Sequence, residues 1–179
     1  GRCCQENYQM IKYIGQHIFD FIATFRQNVI FKAKATIPTR VYDLPETSDG
    51  DHTSGDVLYL GSTTGMTQGG IYYLNSSGTW TIANADAEAD ASGILAVALG
   101  NASDTDGMLL RGFVTLAEIQ GSEDHGKKVY LNTVDGSATV VAPSSSGHIV
   151  RILGYSLGNT STNSDAVYFN PDNTYVEIA

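Results

Sequence analysis

The sequence predicts a mainly β protein: a duplicated antiparallel β-sandwich or barrel head, preceded by an N-terminal coiled-coil helix and an extended arm. Three observations carry that reading. From residue 55 onward, short apolar segments and turn residues alternate about every ten positions, as strands do in sandwiches and barrels. Within that stretch, "YYLNSSGTWTIA" at 72–83 and "VYLNTVDGSATVVA" at 129–142 state nearly the same thing twice. Upstream, Ile11, Ile14, Ile18, Phe21 and Phe25 are spaced 3, 4, 3, 4, which is an a/d heptad seam.

The first zone, 1–27, reads as an oligomerisation helix. Tyr13 and Ile22 widen its apolar stripe, and Gly15 opposes the helix by about 1 kcal/mol. Ile at both a and d favours three or four strands over two, so the expected assembly is a homotrimer joined at Ile11, Ile14, Ile18, Phe21 and Phe25. The competing reading is a single amphipathic helix lying on its own β domain. Cys3 and Cys4, the only cysteines, are adjacent near the start. They build no internal disulfide framework and no thiolate zinc site, but they could cross-link subunits. The chain opens on Gly rather than Met, which leaves room for sequence upstream. The apolar stretch 11–25 contains Lys12, His17 and Asp20, is too short to span a bilayer, and lacks a small-residue cleavage site after it.

The second zone, 28–54, is a strand and an extended arm. In "NVIFKAKATIP", Lys32, Lys34 and Thr36 alternate with Phe31, Ala33, Ala35 and Ile37 until Pro38 ends the pattern. The Pro-, Asp-, Ser- and Gly-dense "TRVYDLPETSDGDHTSG" follows as linker.

The third zone, 55–179, holds the duplicated β domain. Strands are expected near 56–60, 70–75, 79–83, 93–99, 108–117, 127–132, 137–142, 148–157, 166–169 and 174–178. Only "NADAEADAS" at 84–92 reads as a helical turn or a loop. The repeats run about 69–110 and 126–168. Gly69, Tyr73 and Leu74-Asn75 fall on Gly126, Tyr130 and Leu131-Asn132, an offset of 57. One residue is inserted in the turn. Then Gly78, Ile94-Leu95 and Leu99-Gly100-Asn101 fall on Gly136, Ile152-Leu153 and Leu157-Gly158-Asn159, an offset of 58. Both turns place Gly where a hairpin wants positive φ. Two copies are too few for a solenoid, so they are expected to close on each other as one β body.

Charge bounds the partners. Nineteen acidic against ten basic residues give −9. Nucleic acid is a poor partner for such a chain, because phosphate contacts need clustered Lys and Arg, and an anionic membrane is disfavoured for the same reason. Catalytic motifs are missing. His17, His52, His125 and His148 contain no pair at metal-site spacing, no serine sits in G-x-S-x-G, and no phosphate-binding glycine loop occurs. No cofactor is expected. Two acidic clusters are weak calcium candidates: Asp86, Glu88 and Asp90, which share a face if extended, and Asp104 and Asp106 of "DTDG", which lack the distal Glu of a calcium loop. Solvated acidic loops are the plainer reading of both. Trp80, the only Trp, follows a turn and is the candidate ligand contact. Its counterpart is Ala138, a mismatch that suggests either a specialised surface in one copy or a gap filled at a subunit interface.

The phrases "GGIYYLNSSGTWTIANADAEADASGILAVALG", "SDTDGMLLRGFVTL" and "GYSLGNTSTNSDAVYFNPDNTYVEIA" resemble the C-terminal portions of virion structural proteins of tailed bacteriophages, marine ones especially. "FRQNVIFKAKATIP" resembles the short strand repeats leading into such fibre heads, so the resemblance covers about 25–179. The G-x-x-V-Y-L-N-x-x-x-G phrase also resembles small β decoration proteins of phage capsids. The resemblance implies a virion surface location, as tail fibre, head fibre or capsid decoration. The expected function is therefore that of a non-enzymatic structural protein, a trimeric fibre or a capsid or tail appendage. Its partners would be itself and other virion proteins. The rival reading is a host-receptor or glycan-binding module at a fibre tip. A depolymerase is disfavoured by the short chain and the missing motifs.

Overall fold

Strand formation in 55–179 follows the short apolar segments between turn residues. The computed structural model describes residues 50, 52–121, 125–158 and 165–179, with side chains from residue 55 onward. These residues belong to one unit, 41–179. The heptad residues Ile11, Ile14, Ile18, Phe21 and Phe25, and the arm up to residue 49, lie outside the described residues.

In chain order the elements are β1 (His52–Leu58), β2 (Ile71–Leu74), β3 (Trp80–Ile82), α1 (Glu88–Ala91), β4 (Leu95–Ala98), β5 (Met108–Thr115), β6 (Ile119–Gln120), β7 (Lys128–Leu131), β8 (Ala138–Thr139), β9 (Ile149–Val150), β10 (Ile152–Ser156), β11 (Ala166–Phe169) and β12 (Val176–Glu177). The described part is mainly β, with one helical turn and a curled, half-barrel sheet. The ten strands of that sheet run β3-β2-β4-β5-β11-β10-β7-β8-β6, with β1 alongside β5, while β12 and β9 form a separate pair.

Three details depart from the expectation. The single strand expected at 148–157 divides at Arg151, which leaves β9 and β10 in different sheets. The first strand starts at His52, inside the stretch expected to be arm. β6 had no sequence signal, being two residues long, and it pairs with β8 in parallel.

The pairing order occurs twice. β3-β2-β4-β5 reads inward to the β5–β11 pair from one side, and β8-β7-β10-β11 from the other. The registers correspond under the 57- and 58-residue offsets. Tyr73 faces Thr81 and Leu74 faces Trp80, while Tyr130 faces Thr139 and Leu131 faces Ala138. Gly69 N donates to Ala98 O, and Gly126 N to Ser156 O, both at 2.8 Å. Positive φ recurs at matched positions: 77° and 76° at Gly69 and Gly126, 75° and 67° at Gly78 and Gly136. At the third pair Gly107 has φ 89° and its counterpart Asp165 has φ 61°, the one non-glycine with positive φ among the described residues. Asp165 is held there because its Oδ1 accepts the Ile119 N–H at 3.0 Å and its carbonyl accepts the Leu116 N–H at 3.0 Å.

The correspondence fails at one place, and the packing changes there. β10 carries a bulge between Ile152 and Gly154 where β4 has none. Across a bulge, side chains change face. In the first copy Ile71, Leu95 and Val97 point into the main core, while Tyr72, Trp80, Ala96 and Ala98 form a second, smaller core with Met66 and Met108. In the second copy Val129, Leu131 and Ala138, the counterparts of Tyr72, Leu74 and Trp80, point into the main core.

The two copies are joined by backbone as well as by core. Ile71 N donates to Gly136 O at 2.9 Å, Gly136 N to Ala83 O at 2.8 Å, and Ala83 N to Ile71 O at 3.0 Å. Those three bonds close a ring among buried residues. Next to it, Ala85 N donates to Asn132 O and accepts at its own carbonyl from Ile149 N, both at 2.8 Å. A Cβ on Gly136 would lie 3.1 Å from Ile82 Cδ1, whereas one on Gly78 would meet nothing within 4 Å. Both glycines have positive φ, so Ala at either carries the left-handed cost of about 1–2 kcal/mol. Gly136→Ala should lose about 1 kcal/mol more than Gly78→Ala in urea unfolding, from overpacking against Ile82. Equal losses would show that the joint between the copies tolerates a methyl group and is not tightly packed.

Candidate functional site

The division of β9 from β10 builds the main cavity. Arg151 interrupts "HIVRILGY", a run whose other residues suit a buried strand. Its side chain is only 4% exposed. Nε donates to Asp172 O at 2.9 Å, and Nη1 donates to Gly93 O at 2.6 Å and to Ala91 O. Three segments are thereby tied to one guanidinium: the end of α1, the strand junction, and the chain after β11. Gly93 is the counterpart of Arg151 under the 58-residue offset, so the contact lies where the two copies meet. The 170–172 segment is fixed independently, as Asn170 N donates to Leu153 O and Asp172 N to Ile152 O, each at 2.8 Å.

Arg151 lines an open cavity of about 670 Å³. Around it stand Ser92, Ile94, Asn170 and Asn173, together with Arg111 and Asp56, which pair at 3.0 Å on the half-exposed rim. A second hollow of about 380 Å³ shares Asn170, Pro171 and Asn173 with the first and adds Tyr155, whose residue is 46% exposed. Burial lowers the pKa of Arg151, opposed by the nearby charge of Asp172. Hydrogen bonds from Thr174, backbone first and hydroxyl second, hold the Asp172 carboxyl below the ordinary carboxylate range, with Arg151 a lesser contributor. Among the described residues no carboxylate forms an ion pair with Arg151; the oxygens it bonds are all neutral carbonyls. The arrangement can hold a polar or anionic ligand. No nucleophile and base lie paired within it.

Trp80 is placed otherwise than expected. It is 2% exposed, its Nε1 donates to Leu60 O at 2.9 Å, and its backbone N–H donates to Thr63 Oγ1 at 3.0 Å. Its ring fills the small core beneath the 58–66 segment, so it offers no face to a ligand and fills no gap between subunits. The mismatch with Ala138 follows from the change of face: Ala138 lies in the crowded main core, and Trp80 in a space that only the first copy has.

The acidic candidates do not come together. Asp86, Glu88 and Asp90 are not on one extended strand, because 88–91 is the helical turn α1. Glu88 Oε1 accepts the Tyr175 hydroxyl at 2.5 Å, Asp90 bonds to the Tyr73 hydroxyl and so raises its pKa, and Asp86 lies 3.7 Å from His148 Nε2. The bond to Glu88 likewise raises the pKa of Tyr175. Asp106 Oδ2 accepts the Ala102 N–H at 2.8 Å and Asp104 Oδ1 the Thr105 hydroxyl at 3.2 Å, both within their own turn. Among the described residues no three His, Cys, Asp or Glu side chains converge on a metal position, and no helix is long and apolar enough to cross a membrane.

In comparisons with protein families, curated proteins and solved structures, nothing matches the chain.

Arg151 was the residue that the sequence reading passed over. A lone charge inside an otherwise apolar strand was the available signal. Trp80→Ala should destabilise the protein by about 3–5 kcal/mol, the usual cost of emptying a large aromatic site, while leaving the Arg151 cavity formed. Thermal unfolding checks the first part. A loss below about 1 kcal/mol would mean that the 58–66 segment does not hold a packed core.

Proposed function

We propose that this chain is a non-enzymatic structural protein of a bacteriophage virion, displayed at the particle surface as a trimeric fibre or as a capsid or tail appendage. In this reading the described β body is a duplicated head, closed as a sandwich or barrel, and Ile11, Ile14, Ile18, Phe21 and Phe25 join three chains upstream of it. The observation that carries the proposal is the way the resembling phrases fold. Residues 69–100, 103–116 and 154–179 supply β2 to β5, most of β10, and β11, which are strands of the one ten-stranded sheet, together with β12 of the small pair. Such a body suits a surface component that must stay folded outside a cell, since backbone hydrogen bonds and two cores hold it without disulfides among residues 5–179. Closed symmetry would cover the heptad seam and raise the local concentration of heads.

A second reading, recognition of a host-surface glycan by the head, is favoured by one observation: the open cavity at Arg151 with its half-exposed aromatic neighbour, Tyr155.

Two measurements test the primary reading. Light scattering of the purified chain should give a trimer, and replacing Ile14 and Ile18 with Asp should give monomers, because two charges per chain then occupy a dry seam. A double variant that remains trimeric would move the assembly contact to the β body. Antibodies against residues 55–179 should label intact particles that encode the chain, and particles that lack the protein altogether would overturn the virion assignment.

A further inference from the structure

We propose that Arg151 anchors a binding site for a carboxylate-bearing saccharide, the carboxylate seated on its Nη2 edge and the sugar chain lying along the 170–173 segment. This deepens the recognition reading and rests on it; it does not depend on the virion assignment.

The argument begins with a count of donors. A guanidinium has five N–H groups and is charged at every physiological pH. In Arg151 one donor of Nε and two of Nη1 are taken by the carbonyls of Asp172, Gly93 and Ala91. Among the described residues the two donors of Nη2 have no partner. The residue is 96% buried by area, yet it lines a cavity of about 670 Å³ that opens to solvent. Buried charges are normally paired, because an unneutralised ion in a low-dielectric site is costly. Here the three bonds are to neutral oxygens, so the charge is oriented and fixed without a directly bonded counter-ion, the Asp172 charge acting on it only from beyond ion-pair distance. The counterpart in the first copy is Gly93, which shows that the duplicated framework needs no cation at this place.

The surroundings select the ligand further. Asp56 also lines the cavity, and its 3.0 Å pair with Arg111 consumes its charge, leaving the Arg151 cation in excess among the side chains of the lining. Asp172 lines the neighbouring hollow instead, and its carboxyl accepts from the Thr174 N–H and hydroxyl. A carboxylate oxygen can accept a charge-assisted hydrogen bond from Nη2, the Nε and Nη1 donors being already taken. Beyond the charge, the two hollows share the Asn170 and Asn173 amides, which suit hydroxyl groups. Ile94 at 55% exposure in the first hollow and Tyr155 at 46% in the second supply apolar faces, suited to the C–H faces of sugar rings. A run of hydrogen-bonding groups with two apolar platforms and one buried cation matches two or three linked sugars of which one is acidic.

The test is titration calorimetry on the full chain with trigalacturonate and a sialylated trisaccharide, with the methyl ester of each, and with sodium acetate. At least one acid should bind, its ester at least about tenfold more weakly, and acetate more weakly still. Arg151 also ties three segments together, so Arg151→Gln can fail by unfolding. Ile94→Asp avoids that, since it adds a carboxylate on the exposed rim. It should weaken the acid at least about tenfold with an unchanged Tm and weaken the ester less, because the ester loses only the apolar contact with Ile94 while the acid also meets a repelling charge. Tyr155→Ala should weaken the trisaccharide without altering acetate. Esters binding as tightly as acids would overturn the inference and leave the recognition reading standing. Acetate binding as tightly as the trisaccharide would overturn the saccharide half. Silence with acids and esters alike would overturn both, and would mean that water alone occupies the Nη2 edge.

Discussion

Ile71, Ala83 and Gly136 pass backbone hydrogen bonds around a closed ring, and the rest of the described structure is arranged about it. Ile71 opens β2, Ala83 follows β3, and Gly136 is the turn glycine of the second copy. None of the three residues has a side chain that could make the connection, so the joint is written in backbone geometry. Each N–H and each carbonyl there is buried and would be costly if unpaired. The ring therefore sets how the second copy sits against the first. That placement brings Asn132 and Ile149 to either side of Ala85, and carries the strand after Ile149 to the end of α1. Arg151 reaches Ala91 and Gly93 because of it.

A duplicated sequence does not oblige duplicated packing. The two copies keep the same strand pairings and nearly the same turns, but at the Ile152–Gly154 bulge β7 and β8 are turned over relative to β2 and β3, while Leu153 and Val167 keep the main-core side of Leu95 and Leu109. Turning a pleated strand over exchanges its faces wholesale. The first copy has both faces covered, by the main core and by the 58–66 segment. The second gives the main core one face and presents Lys128 and Tyr155 outward. The side chains have followed the faces: Trp80 and Tyr72 fill space under the covering segment, whereas Ala138 and Val129 fit the shared interior. Gly154 itself has φ 148°, and a Cβ on it would fall 1.9 Å from Tyr168 O, so the bulge and the β10–β11 pairing both require glycine there.

Much of this was legible in the residues, and the parts that were not have physical causes. Strands such as 108–115 and 166–169 were visible as short apolar segments set off by turn residues. The repeat was visible because turn chemistry is local, and Gly69, Gly78 and their counterparts report a φ that few other residues adopt. Faces were not visible. A two-residue bulge shifts parity without leaving a composition signal, so Trp80 read as a surface residue when its burial depends on a distant segment. β6 was invisible because it exists only where β8 has already been placed. Of the cavity, the sequence reading singled out none of the pieces, although a lone Arg in an apolar strand, Tyr155 and the "NPDN" run all stand in the sequence. Their convergence depends on contacts 58 and 60 residues apart in sequence, those of Arg151 with Gly93 and Ala91.

Arg151 illustrates how a structural role and a binding role can share one side chain. Tying three segments together uses the Nε and Nη1 donors, which point toward the chain. A lysine could not do this, having a single ammonium group and no rigid fork. The same rigidity fixes the direction of the remaining edge, since a planar guanidinium held by three bonds cannot turn Nη2 away. A donor pair held in place before any ligand arrives has little ordering entropy left to lose on binding. Its position where the copies meet also means that the cavity exists only when both are folded and joined. Loosening the ring at Gly136 should then disturb the Arg151 edge through β9, although the two lie in separate parts of the sequence.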